Sequence, residues 1–334
     1  MKALIKTAPG PGALQWADLP EPRPAEGEVL LELVAAGLCH TDLGMIHGDY
    51  GPGSGYAPSF PLVLGHEYAG RVVEAGPGTA IPVGSRVVGS AHLTCGACVW
   101  CRRGRSMLCE GRKVLGLDVD GVFAERFAVP ARNLAILPPD LPDRLAVLAE
   151  PFAVAAHAVD VAGLDPADDV CVIGPGTIGL LTLGALTGRR VTVVGRAEDT
   201  SQVARAKELG AAEIATTPDE VEALKGRFDV VFETAGTASA VTTGTGLLGR
   251  GGRLICVGLP AEEARFSSAQ LSWNEQTIVG SRAYDVSTWA SVPARLGAAR
   301  GLESIVTHTV PLSDHQRALE LVESRQATKV LLHP

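Results

Sequence analysis

The chain has 334 residues, enough for two domains that each bury a core of their own. Aromatic residues make up 4% of it and the formal net charge is −8, so neither base-stacking platforms nor a phosphate-neutralising surface is expected, which excludes nucleic acid as a partner. No stretch approaches about 18 uninterrupted apolar residues, and MKALIKTAPG has no apolar run behind its lysines, so neither a membrane span nor a signal peptide is expected.

Residues 1–150 are rich in Pro and Gly, with short strand-like runs such as EVLLELVAAG, VLGHEYAGRVVEAG and GSRVVG between turn signals, as in a β-rich domain. Four of the seven cysteines fall in CGACVWCRRGRSMLC, residues 95–109, with the spacing C-x2-C-x2-C-x7-C. Four thiolates in one loop can close a tetrahedral zinc site, and a closed site leaves no position for substrate, so a structural role comes first. The last spacing disfavours a ferredoxin loop, and the acidic chain disfavours a DNA-binding finger. An odd cysteine count with four clustered favours metal binding in a reducing cytoplasm over a disulfide framework.

From Asp168 the rhythm changes. VCVIG, RVTVVG, EIATT, FDVVFETAG, GRLICVGLP and TIVGSRA read as buried parallel strands, with helical patterns such as TSQVARAKELG and SAVTTGTGLLG between them. That alternation implies an α/β, doubly wound sheet. Cys171 and Cys256 fall inside these strands and read as core residues. After Ala283 the pattern runs through a helix, the strand-like ESIVTHTVPL, the helical SDHQRALELVES and a final TKVLLHP, an order compatible with a return to the first domain.

GPGTIG (Gly174, Pro175, Gly176, Thr177, Ile178, Gly179) fits G-x-G-x-x-G between a strand and a helix, where a dinucleotide pyrophosphate meets helix N–H groups. Gly174 permits the turn, Gly176 lets backbone approach phosphate, and Gly179 lets helix pack on strand. The same cofactor assignment takes in Gly195, Arg196, Thr234, Val257 and Gly258 around the ends of later strands. A second signal joins GLCHTD, LGHEYAG and LAEPF. Cys39, His66, Glu67 and Glu150 supply sulfur, nitrogen and carboxylate, a set suited to a catalytic zinc with one position left open. Singly, Cys39 reads as a small core residue, His66 as a turn histidine and Glu150-Pro151 as a helix start. These readings lose ground when all occur beside a nucleotide site and a separate four-cysteine lobe.

With CHTD at 39–42, GHEYAG at 65–70, the cysteine lobe, DGVFAERFAVP at 120–130, LAEPFAV at 148–154 and GPGTIG, the chain resembles the zinc-dependent medium-chain alcohol and polyol dehydrogenase family over essentially its full length. The resemblance implies a GroES-like β-rich catalytic domain over 1–150 with its lobe at about 92–112, a Rossmann NAD(P)-binding domain over 151–284, a segment 285–334 returning to the catalytic domain, and an active site in the cleft between the domains. It implies two zinc ions per subunit, a structural one on Cys95, Cys98, Cys101 and Cys109 and a catalytic one drawn from Cys39, His66, Glu67 and Glu150. A glutamate at 150, where the simple-alcohol branch has a cysteine, looks like the sorbitol, threonine and glucose dehydrogenase branches, and harder oxygen ligands suit water or a hydroxyl-rich substrate. Which of Glu67 and Glu150 bonds the metal stays open. Many relatives carry a relay histidine where this chain has Gly44, and His47, a helical turn further on, reads as a surface residue.

The implied reaction is hydride transfer between NAD(P) and a secondary alcohol, with zinc as Lewis acid and Thr41 accepting the alcohol proton. The substrate class is a polyol, sugar, cyclitol or amino-alcohol. A biosynthetic ketone reductase or epimerase and a non-catalytic NADP-binding relative are the alternatives, and the intact Cys39, His66 and Glu150 argue against the last. Lys329 lies where relatives offer a base to the pyrophosphate, and it reads equally as a solvated terminal lysine. In RVTVVGRAEDT the second strand should end at Val194-Gly195, where an NAD-binding fold places an acid; Gly195 has none and Arg196 could pair with a 2′-phosphate, so NADP is preferred over NAD, with Glu198 and Asp199 as the competing ribose acids. Pocket side chains are expected from residues 48–60, including Tyr50, Tyr56 and Phe60, from 115–119, and near Trp273 and Trp289. The remaining expectations are a small alcohol or ketone as the only partner besides a homodimer or homotetramer, in the cytoplasm.

Overall fold

The run Glu28–Leu38 is apolar on both faces apart from Glu28 at its start and Glu32, and so needs cover on both sides, which makes it a central strand. In a computed structural model of the protein, which describes residues 1–50 and 55–334, it is the axis of a seven-stranded sheet. One edge pairs antiparallel with Glu67–Ala75, which leads on to Arg86–Gly89 and Leu134–Ile136. The other edge is shared. Arg126–Pro130 pairs along Glu28 to Glu32, and the last strand of the chain, Lys329–His333, pairs along Ala36 to Leu38. Val306–Pro311 follows it in parallel. A three-stranded sheet of Leu14–Asp18, Lys2–Lys6 and Leu62–Val63 also belongs to this part of the chain. One unit therefore gathers residues 1–150, 289–296 and 306–334. Helix α1 (His40–His47) leaves the axial strand directly, and helix α2 (Ala149–Ala162) begins where this unit's first segment ends.

The second unit, residues 151–288 and 297–305, holds a six-stranded parallel sheet. Its order is Glu213–Ala215, Val191–Val194, Val170–Ile173, Phe228–Glu233, Leu248–Cys256 and Thr277–Gly280. The order reverses between Val170–Ile173 and Phe228–Glu233, the crevice where open α/β sheets take ligands. The pattern SAVTTGTGLLG reads as helix through residue 249, but the helix stops at Leu247; Leu248 joins the sheet beside Phe228 through an irregular register, because its apolar side chain is buried there. Cys171 is fully buried in this core and Cys256 packs at its margin. No helix among the described residues is long and apolar enough to cross a membrane.

Gly37 shows how tightly the first sheet is built. It faces Glu67 across the ladder, and a β-carbon on it would lie 2.0 Å from Glu67 Oε2 and 3.0 Å from Lys329 Cε. Both neighbours are side chains committed to one buried ion pair, so a methyl here has to push that pair aside. Gly37→Ala should lower stability by the ~1–3 kcal/mol typical of overpacking, read as an earlier denaturant midpoint at unchanged m. An unaltered midpoint would show that the carboxylate moves aside freely.

Candidate active site

Cys39 is the hinge between the axial strand and α1. Its backbone is extended (φ −106°, ψ 154°), and Asp42, three residues on, closes a capping box by accepting the Cys39 N–H at 2.9 Å. Asp42 is fully buried, and its other oxygen lies 3.1 Å from His66 Nδ1. That contact fixes the ring and leaves Nε2 for another partner, the arrangement that orients metal-binding histidines. Gly65 makes the approach possible: its φ is +91°, and a β-carbon there would strike the Phe123 ring at 2.2 Å. Glu67 follows as the first residue of its strand.

One ligand atom each from Cys39, His66 and Glu67 lie within 4.8 Å of one another. His66 and Glu67 are 5% and 1% exposed. Burial disfavours an imidazolium at His66, yet the Asp42 carboxylate and the Cys39 sulfur together lift it well above its ordinary value. The site thus attracts a cation, and sulfur, nitrogen and oxygen donors at this spacing fit a zinc ion with an open position. Glu150 is buried in the first turn of α2 and lies outside this 4.8 Å cluster.

Lys329 is not a solvated terminal lysine. It is 3% exposed, its ammonium pairs with Glu67 Oε2, and it donates to the Leu38 carbonyl at 3.0 Å. The reason is the register of the last strand, which sets Val330 opposite Leu38 and turns the preceding lysine into the first unit's core. Burial works against its charge, but Glu67, then Cys39 and Asp42, raise it above the usual lysine value.

Thr41 stands on the first turn of α1, with its hydroxyl 3.6 Å from Cys39 Sγ. His47 is half exposed and bonds Glu323 at 2.9 Å, a surface pair. Of the expected pocket segment 48–60, residues 51–54 lie outside the described residues. Tyr50 and Tyr56 meet edge-on at 5.1 Å, and Phe60 lies beneath the Lys6 ammonium. Leu115 and Leu117 are buried, as is Trp289, whereas Trp273 is 86% exposed.

The four-cysteine lobe rises from a short ladder, His92–Leu93 against Lys113–Val114. Cys95, Cys98, Cys101 and Cys109 bring their sulfurs within 4.8 Å of one another. The Ala97 and Cys98 N–H groups donate to Cys95 Sγ at 3.4 and 3.3 Å, and these bonds pull its thiol down to about 6. Cys101, desolvated and beside the Cys98 sulfur, is pushed up to about 12. One loop therefore presents preformed thiolate character in a tetrathiol pocket, which fits a closed zinc site.

At the switch point of the parallel sheet, Gly174 has φ +95° and its missing β-carbon would meet Ala235 at 2.8 Å. Gly179 packs against the Gly174 carbonyl, while nothing lies within 4 Å of a β-carbon built on Gly176, which caps the helix Thr177–Ala185. Turn, close packing and an open backbone face fit a bound pyrophosphate. Thr234 is spent on the turn itself, donating to the Ile173 and Gly174 carbonyls at 2.8 and 2.9 Å. Gly258 is obligatory for space, since a β-carbon would lie 2.4 Å from Gly236. Strand Val191–Val194 ends where expected, and Arg196 is gripped by Asp199 through Nε and Nη2, with Glu198 3.1 Å from Nη1.

Two residues here went unassigned from sequence. Asp42 had a signal, an acid three residues after a helix start. Glu233 had a fainter one, an acid ending an apolar strand: fully buried, it accepts the Ala235 and Gly236 N–H groups at 2.8 and 2.7 Å and ties the loops beside the glycine turn.

Residues 25–139 match the model of the alcohol dehydrogenase GroES-like domain, and residues 143–332 that of the glucose dehydrogenase C-terminus. A sorbitol dehydrogenase of Halalkalibacterium halodurans is 33% identical over 347 residues, covering 100% of this chain and 99% of its own. Among solved structures, a short chain alcohol dehydrogenase from E. coli CFT073 complexed with NADH superposes with a TM-score of 0.91 at 28% identity, covering 100% of this chain and 99% of the other. A Sinorhizobium meliloti 1021 protein described as a zinc-binding dehydrogenase and bound to NADP gives 0.90 at 28% identity, with the same coverage.

Asp42→Asn keeps the shape of the cap but removes the charge that holds the His66 ring. Metal affinity should fall about 10–100-fold, measured by chelator competition, with the lobe's metal retained. Loss of both metals together would instead mean that the substitution unfolds the unit.

Proposed function

The chain belongs to the zinc-dependent medium-chain alcohol and polyol dehydrogenase family, and from that premise we propose that it oxidises a secondary alcohol of the polyol, sugar, cyclitol or amino-alcohol class with NAD(P), reversibly. One observation carries the reading: the donor atoms of Cys39, His66 and Glu67 converge within 4.8 Å, with the Thr41 hydroxyl beside the Cys39 sulfur. In this reading Cys39 and His66 hold the catalytic metal with carboxylate help from Glu67 and Glu150, and Cys95, Cys98, Cys101 and Cys109 hold a second ion. A zinc ion held there would supply Lewis-acid polarisation of the substrate oxygen, and a bound nicotinamide would take up the hydride.

The chain's own residues do the rest. Thr41 takes the hydroxyl proton. Asp42 keeps His66 in one orientation, and Lys329 balances the buried Glu67 charge. Gly174, Gly176 and Gly179 seat the pyrophosphate on backbone N–H groups. For the cofactor we propose NADP over NAD. Support comes from Gly195, which offers no carboxylate just beyond the end of Val191–Val194, and from Arg196, whose half-exposed guanidinium is held in one orientation by Asp199. The reading includes a homo-oligomer at work in the cytoplasm, where unpaired cysteines persist.

Two measurements test it. Metal analysis should find two zinc ions per subunit; Cys39→Ala should abolish turnover of a polyol panel with the fold retained, and Cys98→Ser should lower the thermal midpoint. One ion per subunit would sink the two-site assignment. Arg196→Ala should raise the Michaelis constant for NADP far more than for NAD, and an enzyme that uses NAD alone would overturn the cofactor choice.

A further inference from the structure

Oxidation of an alcohol frees a proton that has to travel from a half-buried threonine to water. Thr41 and Gly44 are three residues apart on α1 and so share one face of the helix. Gly44 has no positive φ that would demand glycine. Its neighbour demands it instead: a β-carbon there would lie 2.9 Å from Tyr50 Cε2 and 3.0 Å from both Cζ and Oη. The phenol therefore rests on the helix where a side chain of residue 44 would stand, on the face it shares with Thr41, whose side chain lies close enough to act on the phenol. Tyr56 braces the ring from outside, 5.1 Å away and inclined at 67°. Tyr50 also lines a cleft of about 390 Å³, together with Gly44, His47, Asp49, Glu323 and Arg325. Burial, then the nearby Tyr56 and Cys39, push the Tyr50 phenol above its ordinary value, so it stays a neutral hydroxyl able to accept one hydrogen bond and donate another.

We propose that Tyr50 is the positioning residue of the proton path: it holds the Thr41 hydroxyl toward the metal site and passes the proton that Thr41 receives to water in the cleft. The proposal rests on the dehydrogenase reading above. The substrate O–H bond breaks as a new O–H bond forms on Thr41; the original Thr41 proton moves to Tyr50 Oη, and the Tyr50 proton moves to water. The hydride leaves the carbinol carbon with its electron pair for the nicotinamide, so no side chain keeps a charge. His47 is held by Glu323 at 2.9 Å, outside this chain of hydroxyls.

The test uses the metal-loaded enzyme and an alcohol found active in the polyol panel. Tyr50→Phe keeps the ring, so the thermal midpoint and the cofactor dissociation constant should hold. The single-turnover rate of hydride transfer should fall on the order of 10²-fold, and millimolar imidazole should restore part of it. Gly44→Ala should produce the same defect without touching the tyrosine, because the new methyl displaces the phenol from Thr41. Tyr50→Phe added to Thr41→Val should cost nothing further, since both break one path. A wild-type rate in Tyr50→Phe, a loss that imidazole does not rescue, or additive losses in the double variant would each overturn the proposal while leaving the dehydrogenase reading intact. A wild-type enzyme inactive on every alcohol with both cofactors would remove both.

Discussion

A lysine and a glutamate, 3% and 1% exposed, meet where the last strand of the chain joins the first long one. Taking both charges out of water is costly, and removing one partner from such a pair typically costs about 3–5 kcal/mol because the other is left uncompensated. Much around the Cys39, His66 and Glu67 cluster is arranged so that Lys329 and Glu67 stay paired. Gly37 lacks a side chain because the Glu67 carboxylate fills its place. The Leu38 carbonyl accepts from the ammonium, so the end of the axial strand, one residue before Cys39, is tied to the same charge. The strand next to it delivers His66 and Glu67 in succession. The pairing of the last strand with the axial one and the placement of these donors therefore share the same buried contacts.

The charge balance explains why this pair suits a metal site. Cys39, Asp42 and Glu67 act on the Lys329 ammonium, and Asp42 and Cys39 draw His66 toward protonation. A divalent cation held by Cys39, His66 and Glu67 would displace that proton and satisfy sulfur, imidazole and carboxylate together. Lys329 tempers Glu67 as a donor by sharing one of its oxygens, while Glu150 sits apart from the cluster.

The nucleotide unit solves a related problem without a counter-ion. Glu233 ends an apolar strand with its carboxylate fully buried, and backbone N–H groups from residues 235 and 236 answer one oxygen. Burial raises it above the usual carboxylate range while these donors lower it. The loops so gathered bring Gly236 against Gly258 and Ala235 against Gly174, which shapes the switch point where a dinucleotide would lie. In both units an acid inside the core organises the backbone around a site.

Features carried by a few neighbouring residues were legible in the sequence alone. The alternation from residue 168 to 283 is a local consequence of side-chain periodicity, and each of its strands is found in the parallel sheet. The spacing of residues 95–109 by itself limits four sulfurs to one small loop, and GPGTIG carries its own turn and packing requirements. What depends on distant partners was not legible. Lys329 and Leu38 are 291 residues apart, and nothing in TKVLLHP says that its lysine turns inward. Asp199 and Glu198, read as rival ribose acids, prove to grip Arg196, because the turn after the strand folds all three together. Tyr50 reaches Gly44 through a reversal of the chain after α1, which no periodicity encodes. Short-range geometry is written in the order of residues; which buried charge meets which, and which side chain fills the space above a glycine, is set by strand register and close packing once the whole chain has assembled.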